Sequence, residues 1–229
     1  LTSVTLSDKL TTIEKNAFEA CIALPSVTIP SGVTTIETYA FSACIGLTSV
    51  TLPAGLKTLG EVAFTGCDAL TSIELPASLE TIGTEALNAG GLTEIKGQTG
   101  NTHFEAAEGV LYNKGQTALL CYPRKKPGTT FAVPASVTTI GGFAFYLCPG
   151  LTSIELPKSL TTLKNGAFHD CSLKDVTVAW PNAESIPDIQ SNTFVRVNLG
   201  YIKLHVPAGT AEMYRAKDVR KKFFIMDGK

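Results

Sequence analysis

The phrase LTSVTLPAGLKTLGEVAFTGC occupies residues 47–67, and a near copy, LPSVTIPSGVTTIETYAFSAC, stands just before it at 24–44. A third copy, LTSIELPKSLTTLKNGAFHDC, follows at 151–171. Self-similarity of this kind constrains a fold more than any composition, because each copy must be one structural unit stacked on the next. With the leucines in phase, coils begin at Leu1, Leu24, Leu47, Leu70 and Leu151, and the first three steps are each 23 residues. The first coil carries its apolar residues at Leu1, Val4, Leu6, Leu10, Ile13, Ala17, Phe18 and Cys21; the third repeats them at Leu47, Val50, Leu52, Leu56, Leu59, Ala63, Phe64 and Cys67. A stretch at 130–148 joins late, with Val133, Val137, Ile140, Ala144 and Phe145.

The spacing dictates a mostly β repeat solenoid. Val-Thr-Leu alternates with period two, as a half-buried strand does. Pro30, Pro53, Pro76, Pro134 or Pro157 then ends it, since the ring cannot donate to a ladder. The pairs Leu10/Ile13 and Val33/Ile36 predict a tight bend or very short strand on the opposite side. Ala-Phe-x-x-Cys predicts a short helical or 3₁₀ turn that drops Phe and Cys inward. One coil cannot enclose a core; coils stacked at ~4.8 Å bury a continuous one.

The fourth coil breaks the pattern, with Leu87 for Phe and Gly90 for Cys, followed by Gly91 and the polar run KGQTGNTHFEAAEG. Asn113-Lys114-Gly115 between Val110–Tyr112 and Thr117–Tyr122 signals a hairpin. The expected organisation is one solenoid over 1–229: regular coils at 1–91, an irregular coil with a β-hairpin at 92–128, further coils at 129–200 and a closing segment at 201–229. A linker between two domains at 92–128 is the alternative. In the closing segment Thr210 is expected to cap a short helix through Ala211, Glu212, Met213 and Tyr214, with Phe223, Phe224 and Ile225 folding over the last coil. Leu1 opens inside a repeat, which points to a piece of a longer precursor with coils upstream.

Six cysteines suit a disulfide framework by number alone. However, Cys21, Cys44 and Cys67 are one period apart, as are Cys148 and Cys171. Parallel side chains in a ladder are poorly oriented to bridge, and a ladder spreads ligands along a line rather than around zinc. Small buried hydrophobes are expected, with Cys121 an inward strand residue.

A formal net charge of −1 removes the basic surface that nucleic acid or an anionic membrane rewards. The clusters Arg124-Lys125-Lys126 and Arg220-Lys221-Lys222 are solvated loop or tail. No apolar run is long enough to cross a bilayer. The three histidines, His103, His169 and His205, stand at no motif spacing from a nucleophile. His169 shares its offset with Glu19, Ser42 and Thr65, so it is expected on an exposed variable site. Without a phosphate loop, metal motif or nucleophile elbow, no enzyme, cofactor or metal site is expected.

The outward positions of the main strand are therefore the candidate surface, expected to be concave: Ser3/Thr5, Ser26/Thr28, Ser49/Thr51, Ser72/Glu74, Glu94/Lys96, Ser153/Glu155 and Asp175/Thr177. Extended solenoid surfaces bind ligands, while Thr also favours strands for its own reasons. No aromatic stands among them. Trp180, Tyr39, Tyr146 and Tyr201 are scattered, and Trp180 is expected to pack under the last coils.

The phrase L-x-x-V/I-x-L-P-x-x-L-x-x-I-x-x-x-A-F-x-x-C resembles the BspA-like, treponemal-type bacterial leucine-rich repeat over 1–91 and 129–178. EGVLYNKGQTALLCYP (108–123) is similar to a variant coil of that family, and KLHVPAGTAEMYRAKDVRKKF (203–223) to a closing segment. The resemblance implies a right-handed superhelix with one short parallel strand per coil. It also implies a monomeric, secreted or surface-exposed protein of host-associated bacteria, anchored or lipidated through its precursor. Its relatives bind host matrix proteins or other cells. An adhesion module binding a matrix or bacterial surface protein is the first functional expectation; a passive spacer and a carbohydrate-binding component are the alternatives.

Overall fold

The computed structural model describes residues 1–182, 184–187, 192–216 and 223–228. The fold is a mostly β parallel solenoid. The chain divides into two compact units, Leu1–Lys114 with Cys121–Lys126, and Gly115–Leu120 with Pro127–Lys229.

In the first unit the second, third and fourth coils each supply a main strand and the very short strand expected on the opposite side, while the first coil supplies only the short one. They are β1 (Thr12–Ile13), β2 (Ser26–Thr28), β3 (Thr35–Ile36), β4 (Ser49–Thr51), β5 (Thr58–Leu59), β6 (Ser72–Leu75) and β7 (Thr81–Ile82). The two-residue strands form one ladder, β1-β3-β5-β7, while the main strands pair as β2-β4 and, with β8 (Glu94–Gly97), as β6-β8. Registers step by whole coils: Thr12↔Thr35, Thr35↔Thr58 and Thr58↔Thr81 on one side, Val27↔Val50 on the other. Residues 1–6 make no backbone hydrogen bond to β2 and stay outside the sheet, so the expected strand at Val4–Leu6 does not form.

The A-F-x-x-C segment is a hydrogen-bonded turn and not a helix. Alternate N–H groups point along the stack: Asn16, Phe18 and Ala20 donate to the carbonyls of Thr38, Ala40 and Ser42 at 2.8–3.2 Å, while Ala17, Glu19 and Cys21 donate within the coil. A helix directs every N–H inward along its own axis. The alternation instead needs left-handed residues, found at Asn16 and Ala20, Tyr39 and Ala43, Val62 and Gly66. Inside the turn Phe18, Phe41 and Phe64 stack with centroids 5.1 and 5.3 Å apart and planes within 7°. Cys44 Sγ donates to the Phe18 carbonyl (3.0 Å) and Cys67 Sγ to that of Phe41 (3.2 Å).

Leu87 ends the ring stack, and beyond it β9 (Phe104–Ala107) and β10 (Val110–Asn113) make an antiparallel hairpin. Its turn is Glu108-Gly109, both left-handed, a second turn signal beyond the one read from the sequence. Gly115 and Gln116, also left-handed, fall where that expected turn lies. Asn101 pins the insertion. It is 6% exposed, donates to the Pro76 and Leu79 carbonyls, and accepts from the His103 and Phe104 amides.

The second unit contains the first three residues of β11 (Ala118–Cys121) and all of β12 (Thr130–Ala132), β13 (Thr139–Ile140), β14 (Ser153–Leu156), β15 (Thr162–Leu163), β16 (Asp175–Val178), β17 (Lys203–Val206), α1 (Ala211–Arg215) and β18 (Phe224–Asp227). Ala118 and Leu119 pair β13, which pairs β15; the main ladder runs β12-β14-β16-β17-β18, parallel throughout. Phe145, Phe168 and Phe194 stack at 5.0–5.1 Å, and Phe223 closes the row edge-on. Trp180 is buried among Leu156, Val178, Phe194, Leu204 and Phe223, and its carbonyl accepts from the Tyr214 hydroxyl. Thr210 precedes α1, but its hydroxyl donates to the Pro207 carbonyl and makes no cap bond.

Candidate interaction surface

Two stretches of main-strand surface carry the outward side chains. In the first unit Ser26 and Thr28 lie opposite Ser49 and Thr51, all exposed, because both strands keep one phase, with the buried Val27 opposite the half-buried Val50. Their hydroxyls make no hydrogen bond within the described residues. Neighbouring threonines are engaged: Thr34, Thr48 and Thr93 donate to the carbonyls of Thr11, Pro25 and Thr71 in the preceding coil. Threonine thus serves the fold at one offset and is free at another. Ser72 faces Glu94, and Glu74 faces Lys96. Lys96 Nζ lies 2.8 Å from Glu94 Oε1, and that hydrogen bond raises the lysine pKa. Ser3 and Thr5 are exposed outside any strand, so they are not in register with the rest.

The longer ladder of the second unit sets two columns on one face. One is Thr130, Ser153, Asp175, Lys203 and Phe224; the other is Ala132, Glu155, Thr177, His205 and Met226. Asp175 and Thr177 are the last outward pair expected from the sequence. Lys203 and His205 keep the same alternation in K-L-H-V, a signal that pointed to them. His205 Nε2 sits 2.8 Å from Asp175 Oδ1, diagonally across the strands. Phe224, expected to fold over the last coil with Phe223 and Ile225, instead faces outward. Only Phe223 and Ile225 turn inward; Phe224 is 58% exposed, because β18 pairs Ile225 with the buried Leu204 and so sends its neighbours out.

On the turn ridge His169 is not the exposed residue its offset predicts. Its side chain is 18% exposed and packs against Phe143 and Tyr146, with centroids 5.9 and 5.3 Å away.

All six cysteines are free. Burial pushes the thiols of Cys44 and Cys67 up, and those of Cys121 and Cys171 up to about 12. A buried thiol that stays protonated is a poor nucleophile and metal ligand. Among the described residues no three His, Cys, Asp or Glu side chains converge to hold a metal ion. Among them, too, no helix is long and apolar enough to cross a membrane.

The profile of the BspA type leucine rich repeat region matches residues 1–108 and 121–212, in six copies. The chain belongs to this family. No curated protein matches it. Among solved structures, a leucine-rich repeat protein from Eubacterium ventriosum is 25% identical, with a TM-score of 0.61 over 86% of this chain and 64% of that one. This BspA-type chain therefore spans less than two thirds of the length of that relative. A leucine rich cell surface protein from Faecalibacterium prausnitzii is 24% identical, with a TM-score of 0.59 over 97% of this chain and 78% of that one. The pneumococcal vaccine antigen PcpA is 18% identical, with a TM-score of 0.50 over 100% of this chain and 88% of that one. These last two likenesses establish the fold alone.

Proposed function

We propose that the chain is a non-enzymatic protein-binding module of a bacterial surface or secreted protein, and that it engages host matrix proteins or other cells through its main-strand face. The supporting observation is the five-strand face of the second unit. There the polar and charged side chains of Glu155, Asp175, Lys203 and His205 share one register with the exposed Phe224 and Met226. Exposed aromatic and methionine side chains are enriched at protein interfaces over ordinary surface, and polar groups form the rim around them. Family membership supports an interaction module. Surface location is carried over from the Faecalibacterium relative, described as a cell surface protein.

Biolayer interferometry over immobilised matrix proteins, with whole bacterial cells as a second bait, tests the proposal. Saturable binding to at least one bait is expected, weakened in a Phe224→Ser, Met226→Ser double variant whose melting temperature is unchanged. No saturable binding to any bait would leave a passive spacer as the better reading.

A further inference from the structure

The turn ridge of the second unit gathers a cluster that the strand face lacks. Phe143, Tyr146 and His169 lie in mutual contact, with ring centroids 6.0, 5.9 and 5.3 Å apart. Asp170 Oδ2 is 3.1 Å from His169 Nδ1 and 3.5 Å from Arg196 Nη1. Phe143 has a left-handed φ of 55°, costly for a bulky residue. Its ring lies across the next coil at Gly166, where a Cβ would come within 2.6–2.8 Å of three ring carbons. At the same offset the first unit carries Asn16, Tyr39, Val62 and Glu85, so the ring can lie there because position 166 has no side chain.

We propose that this ridge is a carbohydrate site, taking one or two pyranose rings of a surface glycan. The partly exposed rings of Phe143 and Tyr146, set nearly edge to face, supply apolar ring surface for the C–H face of a sugar. The Asp170 carboxylate, the His169 imidazole and the Arg196 guanidinium beside it supply acceptors and donors for adjacent hydroxyls. Arg196 is 74% exposed and free to close on a ligand, whereas Asp170 and His169 are about one-fifth exposed and held in place. The patch spans three coils, about 10 Å at the spacing of parallel strands. That matches a small saccharide and is a small fraction of the ~800 Å² per partner of a standard protein interface. The proposal is independent of the strand-face reading, because the two use different residues.

The test is a printed array of host and bacterial oligosaccharides, followed by calorimetric titration of the strongest hit. It uses the intact chain, Tyr146→Ala and Arg196→Ala, with Phe224→Ser as the strand-face control. The expected result is saturable glycan binding that both ridge variants weaken at least about tenfold, with melting temperature and strand-face control unchanged. Arg196→Ala keeps the test valid if Tyr146→Ala does not fold, since its side chain packs in no core. A blank array, or glycan binding indifferent to Arg196→Ala, overturns the proposal. Loss of binding to a protein bait in Arg196→Ala, with a blank array, also overturns it and assigns the ridge to a protein contact.

Discussion

Between residues 24 and 67 each coil sets its Phe ring on the previous ring and its Cys thiol on the previous Phe carbonyl. Between Leu87 and Lys126 neither residue type recurs at the 23-residue step, yet the thiol row continues. Cys121 Sγ lies 3.8 Å from the Leu87 carbonyl and 3.7 Å from Asn88 Oδ1, occupying toward Leu87 the place that Cys44 takes toward Phe18. Gly90, at the cysteine offset of its own coil, has no room for one: a Cβ there would run into the Asp68 carboxylate, with Arg124 Nη1 3.2 Å away. At Gly91 a Cβ would run into the Asp68 backbone carbonyl. A row of contacts can thus be handed from a repeated motif to an unrelated strand, provided the backbone beneath stays in place.

The largest way to break the regular side is Phe41→Ala, which removes the middle ring of a fully buried stack. Denaturant unfolding should show a loss of ~3–5 kcal/mol. A loss below ~1 kcal/mol would mean the stack contributes little to stability. On the irregular side Asn101→Ala should cost ~2–4 kcal/mol, because it strands two part-buried amides and two carbonyls at once.

Gly91→Ala comes next, at ~1–3 kcal/mol, since the obstructing atom is backbone. Gly90→Ala should cost less, and Asp68→Ala should rescue it while leaving Gly91→Ala uncorrected. Equal costs for the two glycine variants, with no rescue, would remove the steric account.

The thiols distinguish the two regions least. Burial holds Cys121 at about 12 against an ordinary 9.0, so between those values the folded chain keeps a proton that the unfolded chain releases. Stability is therefore full below pH 9 and falls as pH rises toward 12. Cys121→Ala should shallow that alkaline fall in a pH series of melting curves. The smallest effect is Val62→Asn: a β-branched residue at a φ of 58° replaced by the residue type at the same offset in the first coil, for a gain of ~1 kcal/mol.

The ring stack was legible because identical offsets at a fixed step leave one way to face the core. Cys121 was legible as an inward strand residue, but its partner was not, since L-L-C-Y-P carries no A-F-x-x-C phase. Phe224 was misplaced because F-F-I has no polar residue to set which neighbour points in; the pairing of Ile225 with Leu204 decides it. His169 was misplaced for a different reason. Its burial comes from Phe143 one coil earlier and from a glycine at 166, neither visible in a comparison of single offsets. Of the strand face, the alternation was readable, while the extension to Lys203, His205 and Phe224 needed the ladder to be traced through spacings that leave the 23-residue step.

The turn ridge, with every second amide aimed at the following coil, makes the repeat behave like a reading frame. Adding or removing one whole period returns each donor to an acceptor, so lengthening by duplication leaves the hydrogen-bond accounts of the survivors intact. Loss of a single residue inside a turn would put every later amide of that turn opposite another amide. Side chains at 19, 146 and 169 sit outside this grammar, which leaves the ridge open to chemical rewriting while the frame is kept.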